Sequence, residues 1–288
     1  MAHILVAWIY LLRPHQYTKN TFLFVPLLFA RRWDRLEEAV AGFLLWCLGA
    51  SAVYAFNDAR DAPSDRFHPT KKHRPVAAGI ISERAAYLTA LILFSGALTG
   101  AFYLSQTFGI TLALYLLNNL LYTLFLKRIV LLDVFSIAIG FLLRIYGGGA
   151  IGEVPISIYL FMTVFFLSLF LALGKRRHEI LLLEEDATKA RHSLKGYSVY
   201  YLDQLMNISA TLTLAVYSLY LTTNNFTWLL FTLPIVVLGI FRYYHLTHNR
   251  SAGEPSRDLF ADKFLLGIGG LYMIIVLMEM LQIPWIQI

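Results

Sequence analysis

Nine apolar runs, at 17–33, 39–56, 85–104, 108–126, 129–151, 156–173, 205–222, 226–241 and 264–283, take up most of this 288-residue chain. Most approach or exceed the roughly 18–20 residues that an α-helix needs to cross a bilayer, and in hydrocarbon only a helix can satisfy the backbone of a single segment. A water-soluble core could not hide them. Hydrophobic residues make up 58% of the chain and charged residues 15%, where ordinary globular domains carry about 25% charged residues. The expected fold is therefore all-α: a polytopic membrane protein of nine transmembrane helices with cytoplasmic cap loops, forming one domain over 1–288.

Charge placement orients the runs. Every Lys and Arg except Arg31, Arg32, Arg35 and Arg144 falls on one side of the nine spans, which the positive-inside rule makes cytoplasmic. The N-terminus and the large loops 57–84 and 174–204 then face the cytoplasm, and the C-terminus lies outside. Trp33, Trp228 and Trp285 mark the outer interface, and the membrane is the inner (plasma) membrane. An apolar patch at 4–12 lacks a basic leader and is followed by Arg13-Pro14-His15, so it predicts an interfacial helix, not a signal peptide. Cys47 is the one cysteine and lies in an apolar run, which rules out a disulfide within the chain. The net charge of +6 suits cytoplasmic loops first and an anionic substrate second; nucleic acid is not an expected partner.

The densest chemistry lies between the second and third runs, in NDARDAPSDRFHPTKKHRPVAAG at 57–79. On a helix, Asn57, Asp61 and Asp65 fall four apart and Asp58 lies beside them, so four oxygen donors share one stripe. Such a stripe repels itself unless a divalent cation binds, and hard Mg2+ suits carboxylates, water and substrate phosphates. Arg66, His68, Lys71, Lys72 and Arg74 follow at once as phosphate-sized cations. Pro63 removes a helical N–H and predicts a disturbed helix beyond Asp61.

A second basic group, Gly174-Lys175-Arg176-Arg177-His178-Glu179 with Lys189, Arg191, Lys195, Gly196 and Tyr197, makes a plausible anion cradle; positive-inside anchoring is the ordinary alternative. Lys127, Arg128 and Asp133 flank a span boundary as snorkelling residues that remain candidates. Asn118 and Asn119, with Tyr122 one turn on, suit amide bridges between helices. Arg144, inside a span and followed by Gly147-Gly148-Gly149, is expected to reach polar surroundings or to pair with Glu153, with a structural ion pair as the favoured role. No CxxC, HExxH, GxSxG or Walker-type pattern occurs, which leaves zinc and P-loop chemistry without support.

The stretch 57–65 has the NDxxDxxxD form of the first aspartate-rich motif of the UbiA superfamily of intramembrane prenyltransferases, which the chain resembles. HPTKKHRPVAAG, the opening RPHQYTKN, GKRRHE and RDLFADKFLL narrow the resemblance to its polyprenyl-phosphate phosphoribosyltransferase branch, of which the decaprenyl-phosphate enzymes are the nearest family. A second aspartate-rich motif is absent, with GKRRHE in its place.

The resemblance implies a UbiA-like helical bundle. It also implies Mg2+ on Asn57, Asp61 and one or both of Asp58 and Asp65, held against the diphosphate of phosphoribosyl pyrophosphate. Asp58, Asp61, Lys71 and Arg74 are then the catalytic candidates. Lys19, Asn20, Arg66, Tyr122, Lys127, Lys175, Arg176, Glu179 and Tyr197 are the substrate-binding ones, and a polyprenyl phosphate is the lipid acceptor. Two rivals use similar features: a prenyltransferase acting on an aromatic acceptor, and an anion transporter.

Overall fold

A computed structural model describes residues 2–67, 71–183, 192–223, 226, 228–249 and 261–281. Its described secondary structure is entirely helical: α1 (Ala2–Leu12), α2 (Phe24–Phe29), α3 (Leu36–Asp65), α4 (Glu83–Leu104), α5 (Gln106–Leu124), α6 (Leu132–Gly152), α7 (Ile158–Leu183), α8 (Val199–Thr223), α9 (Thr232–His248) and α10 (Lys263–Met280), joined in places by short 3-10 segments.

Eight helices among the described residues are long and apolar enough to cross a membrane. The run at 17–33 is not one of them, which corrects the expected set of nine continuous helices. Pro14–Leu23 forms a 3-10 helix and Phe24–Phe29 a short α-helix. At about 2.0 Å per residue in the first and 1.5 Å in the second, the pair still extends roughly 29 Å, close to the hydrocarbon thickness. Its ends agree with a traverse antiparallel to α3. Arg13, just before it, reaches Asp58 near the C-terminal end of α3, and Arg35, just after it, directly precedes α3.

The chain forms two compact units, Met1–Leu126 with Leu143–Pro155, and Lys127–Leu142 with Ile156–Ile288. In the first, Ala55, Ala59 and Ala62 of α3 share a buried cluster with Ala86 and Ala90 of α4 and with Ala7 and Leu11 of α1. Small residues let membrane helices approach closely where no hydrophobic force drives them together. Trp46 is fully buried, its ring 4.9 Å from that of Tyr115 and 5.9 Å from that of Phe108. A Cβ at Gly148 would overlap the Leu23 carbonyl, so glycine there lets the 3-10 segment lie directly on α6. In the second unit, Val134 and Ala138 of α6 pack with Phe170 and Leu173 of α7, Leu202 and Met206 of α8, and Ile240 and Tyr243 of α9.

Candidate active site

The acid stripe lies on the last turns of α3. Pro63 does not break that helix, which runs on to Asp65. The expected disturbance is small because Pro63 is only two residues from the helix end, where a single backbone bond is lost. Asp58 and Asp65 are buried, at 2% and 4% exposure, while Asp61 is half-buried. Two arginines close over the buried pair. Arg13 Nη2 donates to Asp58 Oδ1 at 2.6 Å; Arg74 Nη1 lies 3.2 Å from that same oxygen and donates to Asp65 Oδ2 at 2.8 Å.

Local backbone chemistry places both cations. Arg74 follows the 3-10 turn Lys71–His73, its amide donating to the Lys71 carbonyl at 2.9 Å and its carbonyl accepting from Ala78 at 2.8 Å. The chain reverses at Gly79, whose φ of 76° favours glycine. Arg13 ends α1 with φ 53°, a left-handed residue, and its guanidinium lies 4.9 Å above the Tyr54 ring. A non-glycine residue there costs about 1–2 kcal/mol. Residues held in such conformations cluster at functional sites.

The remaining expected residues of this unit are distributed as follows. Asn57 Oδ1 accepts from the Thr123 hydroxyl at 2.6 Å. Arg66 pairs with Glu83 at 2.9 Å, with both side chains largely exposed. Lys19, Lys71 and Tyr122 are half-buried, and His68 lies outside the described residues. Asn20 is 1% exposed; its amide donates to Cys47 Sγ at 3.3 Å and its carbonyl oxygen accepts from Arg144 Nε at 2.9 Å.

Arg144 also donates to Tyr115 Oη at 3.0 Å and stacks over that ring. The expected Arg144–Glu153 pair is therefore corrected. Nine residues of helix separate the two by about 13 Å, and Glu153 pairs with Arg35 at 2.9 Å instead. Asn119 does not bridge helices; it donates to the Tyr115 carbonyl of its own helix at 2.8 Å.

As a metal site, the stripe has the right donors. All four are oxygens, which suits a hard cation and no soft one. They do not converge, however: among the described residues no three His, Cys, Asp or Glu side chains are grouped to hold an ion, and arginines meet the charge of Asp58 and Asp65.

In the second unit Arg176, Glu179 and Tyr197 of the expected anion cradle take part in a buried network around Asp133. Asp133, fully buried in the first turn of α6, accepts from Arg176 Nε at 2.7 Å, Tyr197 Oη at 2.7 Å and Ser193 Oγ at 3.2 Å. Arg176 is 1% exposed and also donates to Glu179 at 2.8 Å. Tyr197 Oη accepts from the Leu131 amide at 2.7 Å. Burial, with the Asp133 carboxylate beside it, pushes the Tyr197 phenol well above its ordinary range, so it stays protonated and donates. Arg177 donates to Asp203 at 2.6 Å and to the Thr247 carbonyl at 2.9 Å. Lys127 and Lys175 are half-buried, while Lys189 and Arg191 lie outside the described residues.

Comparison with known proteins agrees with this architecture. Residues 21–267 match the UbiA prenyltransferase family. A decaprenyl-phosphate phosphoribosyltransferase from Mycolicibacterium smegmatis is 33% identical over 272 residues, spanning 88% of this chain and 86% of its own. One of the same name from Mycobacterium tuberculosis is 31% identical over 274 residues, spanning 92% and 91%. The structure of a UbiA homologue from Archaeoglobus fulgidus bound to GPP and Mg2+ shares the fold, with a TM-score of 0.74 and 18% identity over 94% of this chain and 97% of that one. The chain, a multi-pass membrane protein with an arginine-clamped acid stripe at the end of a membrane-length helix, belongs to the UbiA prenyltransferase family.

Proposed function

We propose that this protein is a magnesium-dependent polyprenyl-phosphate phosphoribosyltransferase, moving 5-phosphoribosyl from phosphoribosyl pyrophosphate to a polyprenyl phosphate and releasing diphosphate. The observation that carries the reading is the pair of buried carboxylates, Asp58 and Asp65, joined by Arg74, with Arg13 also on Asp58, at the end of a membrane helix. By the positive-inside rule that end, and the N-terminus, face the cytoplasm, where the water-soluble donor is found; the C-terminus lies outside.

Arg74 meets both carboxylates through Nη1, so its Nη2 and Nε remain to donate to phosphate oxygens, and Asp58 and Asp65 fix its orientation. Lys71, three residues earlier, adds a point charge. The donors that would hold magnesium are Asn57, Asp61 and one or both of Asp58 and Asp65, which would have to draw together and exchange arginine contacts for the ion; when bound it supplies charge neutralisation for a diphosphate. The C1–O bond to diphosphate breaks with its electron pair leaving on that group, and an oxygen of the ionised lipid phosphate forms the new bond on the opposite face of the ribose. Catalysis is then mainly stabilisation of the departing charge, no general base is needed, and the anomeric centre inverts.

The aromatic-acceptor reading fares worse on one observation. The helical extension of the second unit, α7, carries Arg176 and Arg177 tied to Asp133 and Asp203, not a second acid stripe. The deciding assay incubates purified protein with labelled phosphoribosyl pyrophosphate and polyprenyl phosphate, with Mg2+ or with a chelator. Label is expected in the lipid fraction only with Mg2+ and acceptor together; label staying in the aqueous phase overturns the reading.

Arg13 gives a second test, which separates backbone strain from chemistry. Arg13→Gly should be more stable than Arg13→Ala by about 1 kcal/mol, because glycine accepts the left-handed conformation. Both variants should lose transfer equally, since both lack the guanidinium. Equal melting temperatures of the two in detergent would remove the strain, and full activity in either would remove Arg13 from the site.

A further inference from the structure

In the first unit, α3, α4 and α5 line a cavity of about 330 Å3. Its walls are apolar, and Leu91, Phe94 and Leu120 among them are 61%, 39% and 38% exposed. In a membrane-spanning region those exposed faces meet lipid, so the cavity is a slot open sideways to the bilayer. Its two ends differ. Ala52, Phe94 and Leu116 line one, whereas Asn57 and Thr123 lie at the other, joined at 2.6 Å. Asn57 immediately precedes Asp58 and lies one helical turn before Asp61, so the polar end of the slot adjoins the acid stripe.

We infer that this slot seats the first isoprene units of the polyprenyl acceptor, with its phosphate at the Asn57 end. The identity of the lipid rests on the phosphoribosyl-transfer reading; the slot itself does not. Three features fit this occupant. Small-ligand pockets run from about 300 to 1,000 Å3, so this one holds a short stretch of a single chain and leaves the rest in the bilayer. A polyprenyl phosphate carries its charge directly on its one chain, which suits a narrow slot whose polar end is Asn57, the residue before the arginine-bound Asp58; a diacyl phospholipid has a glycerol unit and a second chain to place. With Asn57 Oδ1 engaged by Thr123, the Asn57 amide N–H groups are the donors left for an anionic head.

The test uses the full-length protein in detergent. A polyprenyl phosphate carrying a diazirine near its head should label peptides of α3 to α5, with unlabelled polyprenyl phosphate competing and phosphatidylglycerol not competing. Leu120→Trp, which fills the slot from its lipid side, should raise KM for polyprenyl phosphate about tenfold and leave KM for phosphoribosyl pyrophosphate unchanged. Leu88→Trp, on the lipid-facing surface of α4 outside the slot, should change neither. Labelling elsewhere, equal competition by phosphatidylglycerol, or an unchanged KM in a folded Leu120→Trp protein overturns the inference. Turnover without slot labelling defeats the slot alone; slot labelling without turnover upholds the slot and defeats the transferase reading.

Discussion

Asp58→Ala is expected to give a folded protein whose transfer of phosphoribosyl to lipid falls at least about a thousandfold, the upper range for removing one preorganised electrostatic partner. Asp58 is 2% exposed and accepts from Arg13 at 2.6 Å, with Arg74 3.2 Å from that same oxygen. Taking the carboxylate away does not strand either cation. Arg74 keeps Asp65 at 2.8 Å, and the Arg13 side chain is 21% exposed and can turn to water. Stability is thus largely preserved while two guanidinium groups lose the anchor that aims them. Asp58→Asn separates shape from charge, since asparagine can still accept from Arg13 but neither balances two cations nor ligates a hard metal strongly. It should lose nearly as much activity. A wild-type rate in folded Asp58→Asn would show that the stripe's charge is not used.

Much of this site is legible in the chain because its spacing is local. Residues four apart on a helix must share a face, so spacing alone groups Asn57, Asp61 and Asp65. What spacing does not tell is which cation meets which anion. Arg13 lies 45 residues from Asp58, and nothing in RPHQYTKN specifies that α1 ends in a left-handed arginine over Tyr54. The expected pairing of Arg144 with Glu153 fails for the opposite reason. It takes the nearest acid in sequence, while packing brings in Asn20 from 124 residues away. The first span misleads through its mixed backbone. An apolar run of about seventeen residues is short for a continuous membrane helix, but a 3-10 segment has a greater rise per residue.

The network around Asp133 is hidden in the sequence because a lone acid at a span boundary looks like a snorkelling residue; its partners, 43 to 64 residues away, make it a buried anchor. Asp133→Ala is expected to destabilise the protein by about 3–5 kcal/mol, the range for breaking one side of a buried ion pair. Arg176, 1% exposed, would keep Glu179, a carboxylate that is itself 24% exposed. Ser193, within the short 3-10 segment His192–Gly196, and Tyr197, just after it, would lose their shared acceptor. The measurement is thermal unfolding in detergent together with limited proteolysis, which should cut faster near that segment; unchanged melting and cleavage would mean that Asp133 anchors nothing. Because Arg176 and Tyr197 are committed to this acid, Tyr197→Phe should lower the folded fraction and leave KM for phosphoribosyl pyrophosphate unchanged. The double variant Asp133→Leu/Arg176→Met should be more stable than Asp133→Ala, since an apolar pair leaves no buried charge uncompensated. If the double variant is instead as unstable as Asp133→Ala, or less stable, then shape and not charge pairing is what this acid contributes.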